Sequence, residues 1–173
     1  CDVLKAGGTA ADAAVAVQGV LGLVEPQSSG LGGGAFMLYY DAKTKVVDSY
    51  DGRETAPAAA TQNYLRWIDD ATDQTLPKPN ARASGRSIGT PGAIRMLDLA
   101  HKAHGRMTWK ELMQPGVQLA TDGFPISGRL AQAIEGSRTN LLADAEATAT
   151  YLNANLTSKT VGTTLKIPAY AAT

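Results

Sequence analysis

A run of glycines that leads directly into apolar and aromatic residues is the feature that most restricts how this chain can fold. Residues 30–34 read GLGGG, and residues 35–40 read AFMLYY. Gly30, Gly32 and Ala35 also fit the G-x-G-x-x-A spacing of a dinucleotide-binding turn, but that motif must open a helix. The residues after the glycines instead favour a strand. The run therefore predicts a sharp turn into a buried strand and argues against nucleotide binding.

The glycine run leads into a predicted β-hairpin. Residues 36–40 form its first strand, the polar residues 42–45 form its turn, and residues 46–50 form its second strand. A lone hairpin is only marginally stable in water. We therefore expect further strands from elsewhere in the chain or from another chain.

An amphipathic helix is predicted before the glycine run. Thr9 begins a capping-box pattern, so the helix should cover about residues 10–23. Helical spacing places Ala13, Val17 and Val20 on one face, and these small side chains predict close packing of that face against a sheet.

Most regular structure after the hairpin is also predicted to be helical. An alanine-rich helix is expected over residues 58–68 and a loop over residues 69–90. A helix that Thr90 caps should then end at Gly105, and a capping box at Thr108 should start a helix near Leu112 that Pro115 restarts. Ser127 should cap a further helix, and a polar tail should follow from Ser158. Helix, hairpin and further helices in this order predict an α+β fold.

The composition restricts the classes of partner. Among 173 residues, 16 basic side chains balance 16 acidic ones. No net field therefore favours nucleic acid, and we expect no nucleic-acid partner. The single cysteine, Cys1, excludes an internal disulfide. A nucleophilic Cys1 activated by its own α-amine is disfavoured, because its neighbours offer no glycine-rich or oxyanion-donor surroundings.

The other reactive side chains do not form a recognisable catalytic set. His101 and His104 have a spacing that can share a metal ion, but no third ligand is in view. Exposed or helix-capping roles are therefore favoured for both. Ser28 and Ser29 lack a Gly-x-Ser-x-Gly frame and are predicted to bond the local backbone.

Arg53 is the candidate binding residue. It follows directly from the end of the second hairpin strand. A guanidinium at that position can hold a carboxylate with two parallel hydrogen bonds. An internal ion pair with Asp48, Asp51 or Glu54 explains the residue equally well, so both alternatives stay open.

Long stretches of the chain resemble the large subunit of γ-glutamyltranspeptidases. They are residues 5–44 (KAGGTAADAAVAVQGVLGLVEPQSSGLGGGAFMLYYDAKT), 51–60 (DGRETAPAAA) and 87–127 (SIGTPGAIRMLDLAHKAHGRMTWKELMQPGVQLATDGFPIS). Beyond residue 138 the likeness is looser, and only residues 163–173 (TTLKIPAYAAT) are again similar. The resemblance implies an N-terminal-nucleophile hydrolase, an αββα sandwich with two antiparallel sheets between helical layers. Residues 1–173 would supply one incomplete domain of that sandwich.

The resemblance also implies an activity. The family's precursor cuts itself into two subunits, and the new N-terminal threonine of the small subunit attacks γ-glutamyl amides such as glutathione. The acyl-enzyme then passes the γ-glutamyl group to water, an amino acid or a peptide, with no metal or organic cofactor. Arg53 falls on the family's substrate-binding arginine and would grip the α-carboxylate of the γ-glutamyl group. This resemblance favours the carboxylate-binding alternative.

The chain also departs from the family's catalytic pattern. The nucleophile opens a Thr-Thr-His type motif, whereas Thr163 and Thr164 precede Leu165. The small subunit's paired serines and oxyanion glycines are missing too, so we expect no catalytic residue here and no activity from these residues alone.

Several further expectations rest on the resemblance. The implied partners are the small subunit and a γ-glutamyl substrate, and the implied location is periplasmic, secreted or membrane-anchored. A cephalosporin acylase or a poly-γ-glutamate depolymerase has the same fold plan and is an alternative. A non-catalytic assembly or binding module is the third possibility, and it would have to fold stably by itself.

Overall fold

The computed structural model describes residues 1–173 and contains helices around two small antiparallel sheets. The helices are α1 (Asp2–Lys5), α2 (Ala10–Val24), α3 (Ala93–His104), α4 (Trp109–Asp122), α5 (Gly128–Gly136), α6 (Arg138–Leu141), α7 (Ala145–Tyr151) and α8 (Pro168–Ala172). The strands are β1 (Ala35–Asp41), β2 (Val46–Gly52), β3 (Phe124–Pro125) and β4 (Thr164–Leu165), with β1 paired to β2 and β3 paired to β4. None of the helices combines the length and apolarity needed to cross a bilayer. The α+β prediction is confirmed.

The predicted hairpin is confirmed, with residues 42–45 as its turn. Ala35 lies opposite Gly52, and Asp41 lies opposite Val46. The prediction that the first strand is buried is only half right, because alternate residues of β1 are exposed. Its inner face packs on a buried cluster formed by α2, α3 and α4, whereas its outer face is uncovered.

Helix α2 begins at the predicted capping box, but its packed face was predicted wrongly. The Thr9 side chain accepts a hydrogen bond from the Asp12 amide, and the Asp12 carboxylate accepts one from the Thr9 amide. Val17 is 53% exposed. The buried stripe includes Gly19 and Gly22, and at Gly19 the helix lies close to α4: a Cβ on Gly116 would lie 2.9 Å from the carbonyl oxygen of Gly19. Close packing on α4 therefore buries the face of α2 that carries Gly19 and leaves the face that carries Val17 exposed.

Two hydrophobic clusters hold the elements together, and α2 contributes to both. The first cluster contains residues of α2, α4, α5 and the β3–β4 sheet and two residues that follow β3 and α7; its members are Leu23, Ala120, Phe124, Ile126, Leu130, Ile134, Leu152 and Leu165. The second contains Val15, Ala16, Met96, Leu97 and Leu112 and supports the hairpin. Helix α4 also contributes to both clusters, through Ala120 and Leu112, so these two helices fix the hairpin relative to the rest of the chain.

The helix predicted over residues 58–68 is wrong, since these residues form turns. Leu65 is 52% exposed and Ile68 is 39% exposed, so the segment buries no continuous apolar face. Polar side chains bond it locally instead; for example, the Trp67 indole donates to the Asp70 carboxylate. Local bonds of this kind compete with a helix when no packing supports the helix.

The predicted cap of α3 is also wrong, because the helix begins at Ala93 and not directly after Thr90. Thr90 instead pairs with Thr55 in an isolated β-bridge. The carbonyl oxygen of Gly33 accepts hydrogen bonds from the amides of Gly92 and Ala93 at 3.2 and 3.0 Å. A backbone carbonyl therefore satisfies helix donors that a threonine side chain was expected to satisfy.

The C-terminal half contains one confirmed capping box, one confirmed cap and two corrections. The capping box at Thr108 and the cap at Ser127 are both formed. Helix α4 is continuous from Trp109 through Pro115, so no restart occurs. The predicted polar tail is wrong, because strand β4 and helix α8 lie within it, and the Tyr170 hydroxyl donates to the Gly19 carbonyl at 2.8 Å.

Candidate functional site

Arg53 lies at the first position after β2, in the loop of residues 53–57. Its side chain is 72% exposed, and its Nε lies 3.7 Å from Oε2 of Glu54. Its backbone amide donates to the Asp51 carboxylate at 2.8 Å, which fixes the turn out of the strand. The guanidinium makes no hydrogen bond within the chain, so the contact with Glu54 is a loose, solvent-exposed ion pair.

Two glycines determine where this loop starts. A Cβ on Gly52 would lie 2.9 Å from the carbonyl oxygen of Gly92, and a Cβ on Gly92 would lie 2.8 Å from the carbonyl carbon of Gly52. The backbones therefore cross more closely than any side chain permits. Beyond the crossing, the Thr90 amide donates to the Thr55 carbonyl at 2.8 Å, so residues 53–57 and 86–90 lie side by side.

Glu54 lies in a cradle formed by three glycines. A Cβ on Gly34 would lie 2.6 Å from Cδ of Glu54 and 2.8 Å from its backbone nitrogen. A Cβ on Gly89 would lie 2.8 Å from Cβ of Glu54, and one on Gly33 would lie 3.6 Å from Oε1. The glycine run of residues 30–34 therefore has a second role besides turning the chain, because its glycines leave room for Glu54, the residue next to Arg53.

Arg53 and Glu54 line a cleft of about 320 Å³, to which residues 86–89 also contribute. Arg86 lies in this cleft: its Nε donates to the Tyr64 carbonyl at 2.8 Å, and its guanidinium lies 4.2 Å from the centre of the Tyr64 ring. The cleft thus holds two arginines and one glutamate. Arg86 was missed in the sequence because its contact with Tyr64 spans 22 residues of separation.

A neighbouring polar cleft of about 480 Å³ lies along the glycine turn and includes Ser28, Ser29 and Glu54. The Ser28 hydroxyl accepts a hydrogen bond from Nη2 of Arg129 at 2.9 Å, and Nη1 of Arg129 lies 3.2 Å from the Glu25 carboxylate. The prediction that Ser28 bonds the local backbone is therefore wrong. No base lies at hydrogen-bond distance from either serine, so neither is set up as a nucleophile.

His101 is not exposed, so the first of the two roles expected for it, exposed or helix-capping, is wrong. Its side chain is 16% exposed, and its Nε2 lies 2.8 Å from the Met107 carbonyl and 3.4 Å from the Asp12 carboxylate. Since a carbonyl only accepts, Nε2 carries the proton in this bond. His101 therefore helps hold the connection between α3 and α4 against the start of α2.

Asp12 is the fully buried carboxylate at that junction. Its Oδ2 accepts hydrogen bonds from the amides of Thr9 and Arg106 at 2.8 and 3.0 Å. Burial raises the pKa of the Asp12 carboxyl, but the hydrogen bonds from Thr9 and Arg106 lower it more, so the pKa lies below its usual value. The carboxylate is therefore a charged structural link between two distant segments.

His104 is also largely covered, with 18% of its side chain exposed. Its ring stacks on Tyr39 with the ring centres 3.9 Å apart. Its Nε2 lies 2.7 Å from the Tyr50 hydroxyl and 3.2 Å from the Asp48 carboxylate. The histidine thus anchors the end of α3 on the hairpin, and no group of three metal-binding side chains includes it.

The remaining candidate, Cys1, is exposed and has no partner. It precedes the short helix α1, where its side chain makes no capping bond. The described residues therefore bring Arg53, Glu54 and Arg86 to one cleft and leave the cysteine, the serines and the histidines elsewhere. This arrangement places two guanidinium groups and one carboxylate together, and it holds no nucleophile paired with a base.

An antiparallel hairpin with helices on one face and a two-arginine cleft at its strand end fits a part of the N-terminal-nucleophile hydrolase fold, which solved structures similar to this chain share. The profile of the family described as Gamma-glutamyltranspeptidase matches residues 1–173, and the chain belongs to that family.

Comparisons with individual proteins agree with this. The Glutathione hydrolase proenzyme of Bacillus subtilis (strain 168) is 42% identical over 140 residues, which are 81% of this chain and 23% of that protein. Scoloptoxin SSD14 of Scolopendra dehaani is 41% identical over 140 residues, again 81% of this chain and 23% of that protein. The crystal structure of the Helicobacter pylori gamma-glutamyltranspeptidase has a TM-score of 0.88 at 26% identity, over 99% of this chain and 48% of that one.

The fraction of each relative that the chain covers shows that it corresponds to a part of those proteins. It spans about a quarter of the length of the curated relatives and about half of the solved chain. The expected fold class is thereby confirmed, as a part of that fold.

Proposed function

We propose that residues 1–173 belong to the large subunit of a γ-glutamyltransferase or glutathione hydrolase and that Arg53 binds the α-carboxylate of its γ-glutamyl substrate. Family membership supports the reaction, since a relative is named as a glutathione hydrolase proenzyme. The observation that carries the role of Arg53 is its position: an exposed guanidinium without a hydrogen bond, at a strand end, in a cleft.

The charge balance around Arg53 supports substrate binding over an internal ion pair. Only Glu54 lies within ion-pair distance, at 3.7 Å, and the Arg53 side chain is 72% exposed. An exposed pair of this kind contributes about 0–1 kcal/mol. A substrate carboxylate that accepts two short hydrogen bonds from the guanidinium gains more and can displace the loose contact.

In the proposed reaction, the cleft holds the γ-glutamyl group while a threonine of the small subunit attacks it. The threonine oxygen forms a bond to the γ-carbonyl carbon, and its proton passes through the α-amine to the leaving amine as the amide C–N bond breaks. Water or an acceptor amine then breaks the ester. The part of Arg53 is to keep the substrate fixed through both steps, and no metal or organic cofactor is required.

The exposed face of the hairpin supports a partner subunit. Phe36, Leu38 and Tyr40 alternate along β1 and are 68%, 73% and 59% exposed. An apolar sheet face of this kind marks an interface, and in an isolated fragment it promotes aggregation. We infer that the small subunit of the same precursor covers this face.

The location of the enzyme is a separate inference that rests on the family resemblance. We infer that the enzyme works outside the cytoplasm, as a periplasmic, secreted or membrane-anchored protein.

The other functions differ in what they predict for this surface and for Arg53. The presence of Arg53 within the GRETAP segment favours γ-glutamyl substrates over those of a cephalosporin acylase of the same fold. A poly-γ-glutamate depolymerase also uses γ-glutamyl groups and differs in the length of its substrate. A non-catalytic module would fold stably alone, which the exposed hairpin face argues against.

The test uses the full-length protein with a γ-glutamyl anilide as donor. Arg53→Ala should lower kcat/KM by about 100-fold, because a charge-assisted bidentate contact is lost, while self-cleavage is unchanged. Arg82→Ala is the matched control, since Arg82 is an exposed arginine of the neighbouring loop without an ion pair or hydrogen bond from its side chain. Wild-type protein that turns over no γ-glutamyl donor, or Arg53→Ala as active as Arg82→Ala, contradicts the proposal.

A further inference from the structure

We propose that Arg86 binds a second carboxylate of the donor substrate, one carried by the leaving amine of the γ-glutamyl amide. The inference rests on the proposed function, because it assigns the second arginine of the cleft to the same substrate that Arg53 holds. It makes Arg86 a specificity-determining residue, one that selects donors by the charge of their leaving group.

The structure holds the guanidinium of Arg86 in a fixed orientation. Its Nε donates to the Tyr64 carbonyl at 2.8 Å, and its central carbon lies 4.2 Å from the centre of the Tyr64 ring. No hydrogen bond within the chain uses its terminal nitrogens. A guanidinium that is stacked and bonded through Nε presents those two nitrogens as a rigid fork, the geometry that suits a planar carboxylate.

The charge of Arg86 is not neutralised by a neighbouring carboxylate. No acidic oxygen lies within ion-pair distance of it. The charge of Arg86 acts on Asp69, whose carboxylate accepts hydrogen bonds from the amides of Ala71 and Thr72 and from the Thr72 hydroxyl at 2.7–2.9 Å. These bonds, and first of all the Thr72 hydroxyl, lower the pKa of Asp69, and the charge of Arg86 contributes least. Asp69 is thus engaged locally.

The cleft as a whole favours an anion with two separated carboxylates. Its charged lining residues are Arg53, Arg86 and Glu54, so the lining carries one net positive charge. A γ-glutamyl peptide such as glutathione carries two carboxylates and one ammonium group at neutral pH. The cleft of about 320 Å³ lies at the lower end of the size range of small-ligand sites. Two guanidiniums therefore match two carboxylates.

The two arginines are held in one unit, which supports a shared ligand. The loop that contains Arg53 and the segment that follows Arg86 are joined by the hydrogen bond from the Thr90 amide to the Thr55 carbonyl. A substrate that contacts both arginines therefore bridges segments whose spacing is already fixed. Binding to Arg86, whose guanidinium is already ordered by Tyr64, loses less conformational entropy than binding to a mobile side chain.

The test compares two γ-glutamyl anilides that differ only in a carboxylate on the ring of the leaving aniline. With full-length protein, Arg86→Gln should lower kcat/KM for the carboxylated anilide by about tenfold, mainly through KM. The loss on the plain anilide should be smaller, so that the ratio of kcat/KM for the carboxylated anilide to kcat/KM for the plain anilide falls. Arg86→Lys, which keeps the charge without the fork, should give an intermediate value, and Arg82→Gln should change neither substrate.

Several results would overturn the inference. A wild-type enzyme that treats the two anilides alike removes the need for a second carboxylate site. Equal losses on both anilides in Arg86→Gln, together with a lower Tm, mean that Arg86 only supports the loop of Tyr64. A wild-type protein inert on both anilides refutes the proposed function itself and this inference with it, and is thus distinguishable from a failure of Arg86 alone.

Discussion

Replacing Gly34 by alanine tests the role of the glycine cradle in placing Arg53. The added Cβ would lie 2.6 Å from Cδ of Glu54 and 2.8 Å from the Glu54 backbone nitrogen. The first distance is roughly 1 Å short of an ordinary carbon–carbon contact. Since the backbone nitrogen is involved, a rotation of the Glu54 side chain cannot relieve the overlap, and the backbone that continues from Arg53 must move.

The size of that movement sets the expected effect. A misplacement of about 1 Å in a residue that positions substrate lowers activity by about 100-fold. Overpacking of a close contact also costs about 1–3 kcal/mol of stability. We therefore expect Gly34→Ala in the full-length protein to lose about 10- to 100-fold in kcat/KM on a γ-glutamyl anilide, with a lower midpoint of denaturant unfolding.

Gly32→Ala is the matched control for this prediction. Gly32 belongs to the same turn, but an added Cβ there meets no atom within 4 Å. It should therefore keep wild-type activity and stability within experimental error. If Gly34→Ala behaves like Gly32→Ala in both assays, the cradle does not position the arginine, and the reasoning from close contacts is wrong.

Three further predictions concern stability and assembly. Asp12→Asn should destabilise the protein by about 1–3 kcal/mol at neutral pH. Because folding lowers the pKa of Asp12, the charged carboxylate stabilises the fold above its unfolded pKa of about 4, and this stabilisation is lost as the pH falls through the folded pKa. The urea midpoints of the wild type and of Asp12→Asn should therefore converge in acid. Gly116→Ala should cost about 1–3 kcal/mol by pushing α4 from α2, whereas Gly128→Ala, where a Cβ meets nothing within 4 Å, should cost no more than a few tenths, both read from urea unfolding. Leu38→Asp should prevent co-purification of the two subunits. Leu76→Asp should not, because the Leu76 side chain is as exposed as that of Leu38 but lies in a loop. Co-purification of the Leu38→Asp variant at wild-type yield would show that the hairpin face is not the interface.

The parts of the fold that the sequence predicts correctly are those encoded by neighbouring residues. The capping boxes at Thr9 and Thr108, the cap at Ser127 and the hairpin turn each need contacts over only a few residues. The position of Arg53 after β2 follows from the same local signals. These elements were found because local hydrogen bonds and turn chemistry decide them.

The errors arose where distant segments decide the structure. Val17 has a larger apolar side chain than the glycines of α2, but the glycine face is buried because α4 approaches it closely. Residues 58–68 lack any element to pack against and therefore form turns. Strand β4 has only two residues, too short to leave a pattern in the sequence. Arg86 lies in the site through its contact with Tyr64, which no local pattern encodes.

The Gly33 carbonyl, which accepts from the amides of Gly92 and Ala93, has a consequence for observing this protein in solution. Gly92 is the N-cap of α3 and Ala93 is its first residue, yet the protection of both amides against deuterium uptake depends on the turn before β1. Strain in that turn would therefore raise their exchange rates while the middle of α3 stays protected. The exchange rates of the two amides therefore report whether the glycine turn keeps its hydrogen bonds to α3, and they can be measured without any substrate.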